Sequence, residues 1–128
     1  MSELFERGLA QAQTTKRVDL GRGVLEDSGR SIVEGLACGE QPLLLVADEN
    51  TWEAAGQAVA DSLRSVGAHL VEPMIHPRKP TLYASYDHVV EIKERLVADD
   101  ALAVAIGSGT LNDLCKLASG EVERPYAV

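Results

Sequence analysis

Three short, predominantly apolar segments constrain the fold of this sequence more than any other feature. They are residues 42–47, 69–75 and 101–106, and the stretches between them carry apolar residues at every third or fourth position. A continuous apolar run is typical of a strand covered on both faces, whereas the recurring spacing is typical of an amphipathic helix. The alternation predicts an α/β fold in which the three segments are neighbouring parallel strands of one open sheet flanked by helices.

The helical stretches are bounded by recognisable turn residues. A chain of 128 residues predicts a single domain, residues 1–128, with residues 1–16 as an irregular or short-helix lead-in. The prolines at 73, 77 and 80 predict a stiff loop after the second strand. The first predicted helix follows a turn at Gly21–Gly23, runs from Val24 to Leu36 and stops at Gly39. The second is Trp52–Val66, closed by Gly67. The third is Val89–Val97, followed by a turn at Asp99–Asp100, and the fourth is Leu111–Ala118, ending at Gly120.

The last four residues, Pro125–Val128, resemble the opening of a further strand. A natural domain seldom stops inside a strand. We therefore expect the sequence to be truncated at its C-terminal end, with a natural short domain as the alternative.

The charge balance narrows the range of partners. The chain has 20 acidic and 12 basic residues, a net charge of −8. Nucleic acids and anionic membranes gain nothing from such a surface, so neither is expected as a partner. A phosphorylated ligand remains compatible with it, because backbone N–H groups can bind phosphate on an acidic protein.

The expected cellular location rests on the two cysteines and on the lack of a long apolar segment in the sequence. Cys38 and Cys115 form no CxxC or CxxH motif, and two isolated cysteines fit a reducing compartment better than a disulfide framework. Residues 1–13 contain no apolar core of a signal peptide, and no apolar run approaches the ~18 residues that span a membrane. We expect a cytoplasmic protein.

The segment Ala101–Thr110 is the strongest candidate for a binding site. An apolar strand runs directly into Gly107-Ser108-Gly109-Thr110, after which a helix begins. Glycines let a backbone approach a ligand closely, and a helix N-terminus offers unpaired N–H groups to a phosphate. The Thr110 hydroxyl could cap the helix or bond a phosphate oxygen. The alternative is a tight turn with no ligand, and the spacing matches neither GxGxxG nor a P-loop.

Two further positions could belong to the same site. Asp48 follows the first apolar segment, where a carboxylate can accept hydrogen bonds from ribose hydroxyls, but an N-cap or a solvated turn residue explains it equally well. Asp113 and Lys116 lie one helical turn apart beyond the glycine loop and could reach a phosphate. A weak surface ion pair is the favoured interpretation of that pair.

Nothing in the sequence forms a catalytic constellation. We identify no HxH, HxxxH or HxxE spacing at His69, His76 and His88, and therefore predict no metal site from them. There is no GxSxG elbow, and neither cysteine has an obvious partner base. We therefore assign no catalytic residue and no metal ligand.

Three stretches together resemble the sn-glycerol-1-phosphate dehydrogenase family, within the superfamily of iron-containing alcohol dehydrogenase, glycerol dehydrogenase and dehydroquinate synthase. Residues 105–116 are similar to the family's phosphate loop, GSGT followed by an Asp and a Lys. Residues 44–51 resemble its first nucleotide-binding strand, and residues 21–25 resemble the opening of its N-terminal domain. The Thr in GSGT points to the glycerol-1-phosphate branch, because the sister branches usually carry a third glycine there.

The resemblance implies a Rossmann-like nucleotide-binding domain of an enzyme that reduces dihydroxyacetone phosphate to sn-glycerol 1-phosphate with NADH or NADPH. It implies a divalent metal, zinc or nickel, whose Asp and two His ligands lie beyond the position matching Val128, so this chain alone is expected to be inactive. A homodimer is compatible with it. The alternatives are a sister glycerol dehydrogenase or dehydroquinate synthase activity, or a non-catalytic nucleotide-binding module. The residues that match cofactor contacts are Asp48, Gly107, Ser108, Gly109, Thr110 and Asp113.

Overall fold

A wholly parallel sheet of four strands forms the centre of the molecule, as seen in a computed structural model that describes residues 27–77 and 85–128. The bounds are Leu43–Asp48 for β1, Met74–His76 for β2, Leu102–Ala105 for β3 and Tyr126–Ala127 for β4. The strands lie in the spatial order β2-β1-β3-β4, so β1 is an inner strand. Their parallel pairing confirms the predicted sheet, including the strand that opens after Pro125.

Four helical segments connect and flank the strands. The predicted helices are all present within the described residues, although their ends differ from the prediction. α2 contains one π-helical turn between two α-helical pieces. The bounds are Ser28–Leu36 for α1, Glu49–Thr51, Trp52–Gly56 (π) and Gln57–Ser65 for the consecutive pieces of α2, Tyr86–Asp99 for α3 and Gly109–Glu121 for α4.

Two predicted boundaries are wrong, each for an identifiable reason. Gly120 does not end α4, which continues to Glu121 because Leu114 and Ala118 are held in the core. That packing outweighs the cost of about 1 kcal/mol for a glycine inside a helix. The second strand is shorter than predicted, since only Met74–His76 is regular and Leu70 forms an isolated bridge to Leu43. Pro73 lacks an N–H and interrupts the ladder between them.

The sheet is covered on both faces, which explains why the β1 and β3 segments are apolar without interruption. Residues Leu44 and Val46 face α3 and α4, whereas Leu43 and Leu45 face α1 and α2. Every residue of β1 from Leu43 to Ala47 and all of β3 is buried. Burial of both faces is what distinguishes a parallel sheet of this kind from an amphipathic antiparallel one.

Some predictions fall outside the described residues. They are the lead-in 1–16, the turn at Gly21–Gly23, the first part of the first helix at Val24 and Leu25, and the loop position Pro80. Within the described part of the chain, no helix has the length and apolarity needed to cross a bilayer.

Candidate functional site

The carboxyl ends of the parallel strands bring three separate segments to one edge of the sheet. Asp48 at the end of β1 is in register with His76 at the end of β2. On the other side of β1, pairing with β3 extends to Ile106, whose N–H donates to the Val46 carbonyl oxygen at 2.9 Å. The Gly107–Thr110 loop therefore begins at the same edge as Asp48 and His76. In open α/β sheets, ligands bind beyond this edge.

Gly107 makes the turn from β3 into the loop. Its φ is +118°, a conformation that side chains with a Cβ adopt only under strain. A Cβ on Gly107 would also collide with the methyl group and Cβ of Thr51 in α2. The requirement for glycine in this loop thus lies at Gly107. Gly109 has no positive φ, and a Cβ there would meet nothing within 4 Å.

Ser108 is the N-cap of α4. It has extended backbone angles, and its hydroxyl accepts a hydrogen bond from the Leu111 N–H at 3.4 Å. Of the two roles considered for Thr110, capping is therefore wrong, since Thr110 occupies the first turn of the helix and is half-buried. The reason is register, because the helix begins at Gly109, two positions earlier than the apolar periodicity indicated.

The N–H groups of Gly109 and Thr110 are available to a ligand. Among the hydrogen bonds of the described residues, none uses either amide as a donor. Gly107, Ser108 and Gly109 are exposed, and the space next to Gly109 is open. Unpaired amides at the positive end of a helix are the donors that suit a phosphate.

Asp48 caps α2. Its Oδ1 accepts a hydrogen bond from the Thr51 N–H at 2.7 Å, and the Asp48 N–H donates to Thr51 Oγ1 at 3.0 Å, so the two residues form a reciprocal capping box. One of the two interpretations left open by the sequence, the N-cap, is therefore confirmed. The second carboxylate oxygen retains acceptor capacity, so capping does not exclude a contact with ribose.

Thr51 connects the two candidate segments. It is held by both hydrogen bonds to Asp48, and its methyl group occupies the position that a Cβ on Gly107 would need. The end of β1 and the glycine loop after β3 are thus packed against one another through a single side chain. The two segments that the resemblance assigns to one dinucleotide form a contiguous surface.

Asp113 and Lys116 do not join this surface by any contact. Both are exposed and line a surface depression with Leu117, Gly120 and Glu121. Within residues 27–77 and 85–128, neither side chain forms an ion pair or hydrogen bond, so the expected pair between them is absent there. The structure leaves Asp113 one turn beyond the loop, on the exposed side of α4.

His76, His88 and Glu91 form a cluster that the sequence analysis did not identify. Their donor atoms lie within 4.8 Å of one another, although His76 ends β2 and the other two residues belong to α3. Burial, and secondarily the neighbouring His88, lower the pKa of His76, while Glu91 and Asp48 act in the opposite direction. The sequence analysis was wrong to find no HxxE spacing, because His88 and Glu91 have it, and that spacing was the available signal. The third member is brought in by the tertiary structure alone.

Both cysteines are buried and free, which agrees with the prediction that they form no disulfide. Burial raises the pKa of the Cys115 thiol to about 12. Since the thiolate is the reactive form, Cys115 is a packing residue and not a nucleophile.

The fold and the site define a class of protein: an open parallel α/β domain with a helix N-terminus following a glycine loop at the carboxyl edge of its sheet. Residues 19–128 match the family model described as iron-containing alcohol dehydrogenase. The chain belongs to the iron-containing alcohol dehydrogenase family, as the sequence resemblance predicted.

Individual relatives agree with this assignment. The glycerol-1-phosphate dehydrogenase [NAD(P)+] of Bacillus velezensis is 29% identical over 90 residues, which is 70% of this chain and 23% of that protein. The crystal structure of NADH-dependent butanol dehydrogenase A from Thermotoga maritima superposes with a TM-score of 0.69 at 18% identity, covering 87% of this chain and 27% of that one. Glycerol dehydrogenase from Schizosaccharomyces pombe gives a TM-score of 0.67 at 18% identity, with coverage of 88% and 27%. The chain thus spans about a quarter of the length of these relatives.

Proposed function

We propose that this chain is the cofactor-binding part of a metal-dependent NAD(P)-linked dehydrogenase that reduces dihydroxyacetone phosphate to sn-glycerol 1-phosphate. The observation that carries the proposal is the Gly107–Thr110 loop, where two helix-terminal amides that donate to no other described residue border open space next to Gly109. The relative from Bacillus velezensis, a glycerol-1-phosphate dehydrogenase, supports the choice of substrate.

The residues of the site fit a dinucleotide. The amides of Gly109 and Thr110 would donate to the pyrophosphate, and Ser108 would hold the helix end in position through its bond to Leu111. Asp48 would accept from the ribose hydroxyls with the carboxylate oxygen that does not cap α2. Asp113, one turn along α4, is assigned near the cofactor by the family resemblance alone. When bound, the nicotinamide supplies the hydride that reduces a carbonyl group.

The residues of this chain do not fit the metal set that the resemblance implies. That set consists of one Asp and two His, whereas the one His/Cys/Asp/Glu cluster found among the described residues contains two His and one Glu. We therefore derive no catalytic step through a metal from this chain. Its own residues bind and orient the cofactor.

A calorimetric titration with NADH tests the loop. Gly109→Val should weaken binding by on the order of 2–4 kcal/mol, because its side chain would enter the space that the phosphate needs. Gly120→Ala, which changes a glycine of the same helix with nothing within 4 Å of the new Cβ, should bind like the wild type. Wild-type affinity in a folded Gly109→Val variant would reduce the loop to a turn and remove the main support for the proposal.

The role of Asp48 needs a substitution that keeps the helix cap. Asp48→Ser retains a capping oxygen but lacks the second carboxylate oxygen. NADH binding should weaken by about 1.5–3 kcal/mol, the scale of a hydrogen bond to a charged group. NADPH binding should be unchanged, because a 2′-phosphate cannot donate to a carboxylate. Equal losses for both cofactors would argue against the ribose contact.

The substrate is tested with the product of the complete reading frame. NADH oxidation should proceed with dihydroxyacetone phosphate and yield the sn-glycerol 1-phosphate enantiomer. If NADH is oxidised with dihydroxyacetone but not with dihydroxyacetone phosphate, the enzyme is a glycerol dehydrogenase and the proposed substrate is wrong.

A further inference from the structure

Three side chains with metal-binding chemistry converge where β2 ends and α3 begins its second turn. The His88 Nδ1 atom lies 3.9 Å from Glu91 Oε2, one helical turn further along α3. The His76 and His88 rings meet edge to face, with centroids 5.1 Å apart and an interplanar angle of 73°. The donor atoms of all three residues fall within 4.8 Å of one another.

His76 gives this cluster a second, independent feature. Its side chain belongs to the core edge, since the residue is 7% exposed, and its Nε2 atom has no hydrogen-bond partner within the described residues. A buried polar atom without a partner costs about 1–3 kcal/mol. The structure therefore contains a buried imidazole whose ring packs edge to face on His88 and whose Nε2 atom has no hydrogen-bond partner among the described residues.

We propose that His76, His88 and Glu91 bind a divalent transition-metal ion, with Zn²⁺ as the best-matched species. Two imidazole nitrogens and one carboxylate oxygen are a donor set that suits zinc and its borderline neighbours, nickel and cobalt. Three protein ligands leave a fourth position for water.

The dimensions of the cluster allow an ion to enter after a small adjustment. With metal–ligand distances of about 2.0–2.2 Å, two ligand atoms of one tetrahedral ion lie about 3.4 Å apart. In the structure the ligand atoms are up to 4.8 Å apart, and His88 Nδ1 and Glu91 Oε2 are 3.9 Å apart. A rotation of the side chains is enough to close this difference. Glu91 is exposed and can turn without disturbing the core.

Such an ion would connect two elements that otherwise share few contacts. β2 is a three-residue strand at the edge of the sheet, held by its pairing to β1. Ligands from β2 and α3 would cross-link that strand to the helix following it. We expect the bound ion to stabilise the folded chain, because it binds the folded state in preference to the unfolded one.

Titration of the full 128-residue chain with Co²⁺, after metal has been stripped with a chelator, tests the site. The wild type should bind one ion with the visible absorption of a tetrahedral or five-coordinate complex, and Zn²⁺ should displace it. The Tm of the wild type should rise on addition of Zn²⁺. His76→Gln and Glu91→Gln should each weaken Co²⁺ binding by at least about 10-fold and abolish the Tm rise, since even the loss of a group that only supports a ligand costs about that much.

Two matched variants separate this site from surface binding. His69→Gln removes an exposed histidine outside the cluster, and Glu94→Gln removes an exposed carboxylate on the same helix as Glu91. Both should bind Co²⁺ like the wild type. Because Glu91 is exposed, Glu91→Gln should fold even if replacement of the buried His76 disturbs the edge of the sheet.

Three results would overturn the proposal. They are the absence of Co²⁺ binding to the wild type, unchanged affinity in Glu91→Gln, or an equal loss in His69→Gln. In any of these cases His76 is a core histidine whose Nε2 is satisfied by water or by residues outside the cluster. The NADH affinity of Gly109→Val, which tests the proposed function, does not depend on Co²⁺ binding. Either proposal can therefore be disproved without affecting the other.

Discussion

At the scale of single residues, the candidate site depends on how Gly107, Thr51 and Asp48 fit together. Gly107 takes a backbone conformation that favours glycine, and Thr51 fills the space beside it. Thr51 cannot move away cheaply, because two hydrogen bonds to Asp48 fix its side chain and backbone. The glycine loop is therefore positioned by the helix cap of the neighbouring segment.

Gly107→Ala should destabilise the chain by about 1–3 kcal/mol, since it combines an unfavourable φ with a collision against a fixed side chain. Gly109→Ala serves as the control in the same loop, because it has an ordinary backbone conformation and open space. It should be neutral or slightly stabilising. Urea unfolding of both variants measures the difference, and equal stabilities would mean that the loop rearranges around a Cβ.

At the scale of elements, a close backbone approach joins α1 to α2. The Gly29 N–H donates to Ser62 Oγ at 2.8 Å, and the Gly29 Cα lies against the Ser62 carbonyl. A Cβ on Gly29 would overlap that backbone carbonyl, which unlike a flexible side chain cannot rotate out of the way. The absence of a side chain at this point lets both helices lie flat on the same face of the sheet.

Gly29→Ala should cost about 1–3 kcal/mol of unfolding free energy, the range seen when a packed core receives an extra methyl group. Gly120→Ala is the matched control, since the new methyl group meets nothing. It should stabilise α4 by up to about 1 kcal/mol, the difference in helix propensity between the two residues. Thermal unfolding compares them, and a neutral Gly29→Ala would show that α1 can shift away from α2.

At the scale of the whole molecule, Arg124 joins the end of α3, the turn before β3 and the approach to β4. Its Nη1 donates to the carbonyl oxygens of Leu96 at 2.6 Å and Ala101 at 3.0 Å, and its Nη2 donates to Asp100 Oδ1 at 3.0 Å. A charged donor thus satisfies carbonyl groups at a helix C-terminus, where a positive charge is also favoured. The contact connects residues more than twenty positions apart.

Arg124→Met should destabilise the chain by about 1–3 kcal/mol, because it removes charge-assisted hydrogen bonds and leaves the carbonyl oxygens of Leu96 and Ala101 without that donor. Arg64→Met is the control, since the Arg64 side chain is 59% exposed and, among the residues that the structure describes, pairs with Asp61 one helical turn away. Exposed pairs of this kind contribute little. Denaturant titration should show a lower midpoint for Arg124→Met alone, and a matching loss in Arg64→Met would contradict the assignment.

The sequence determined the sheet and the place of the loop. Continuous burial on both faces leaves β1 and β3 apolar throughout, so that local composition alone identified two parallel strands. The glycines directly after β3 located the loop in the same way. The family assignment rested on these local patterns too, because the matching motifs are contiguous in the chain.

Only the tertiary structure decided what depends on contacts between distant segments. Gly107 and Gly109 look alike in the sequence, but their requirements differ because Thr51, more than fifty positions earlier, packs against one of them. His76 joins His88 and Glu91 because the end of an edge strand faces the helix that follows it, and no spacing rule expresses that proximity. Local periodicity reports which face of an element is buried, whereas the partner on that face is set by the packing of the whole chain.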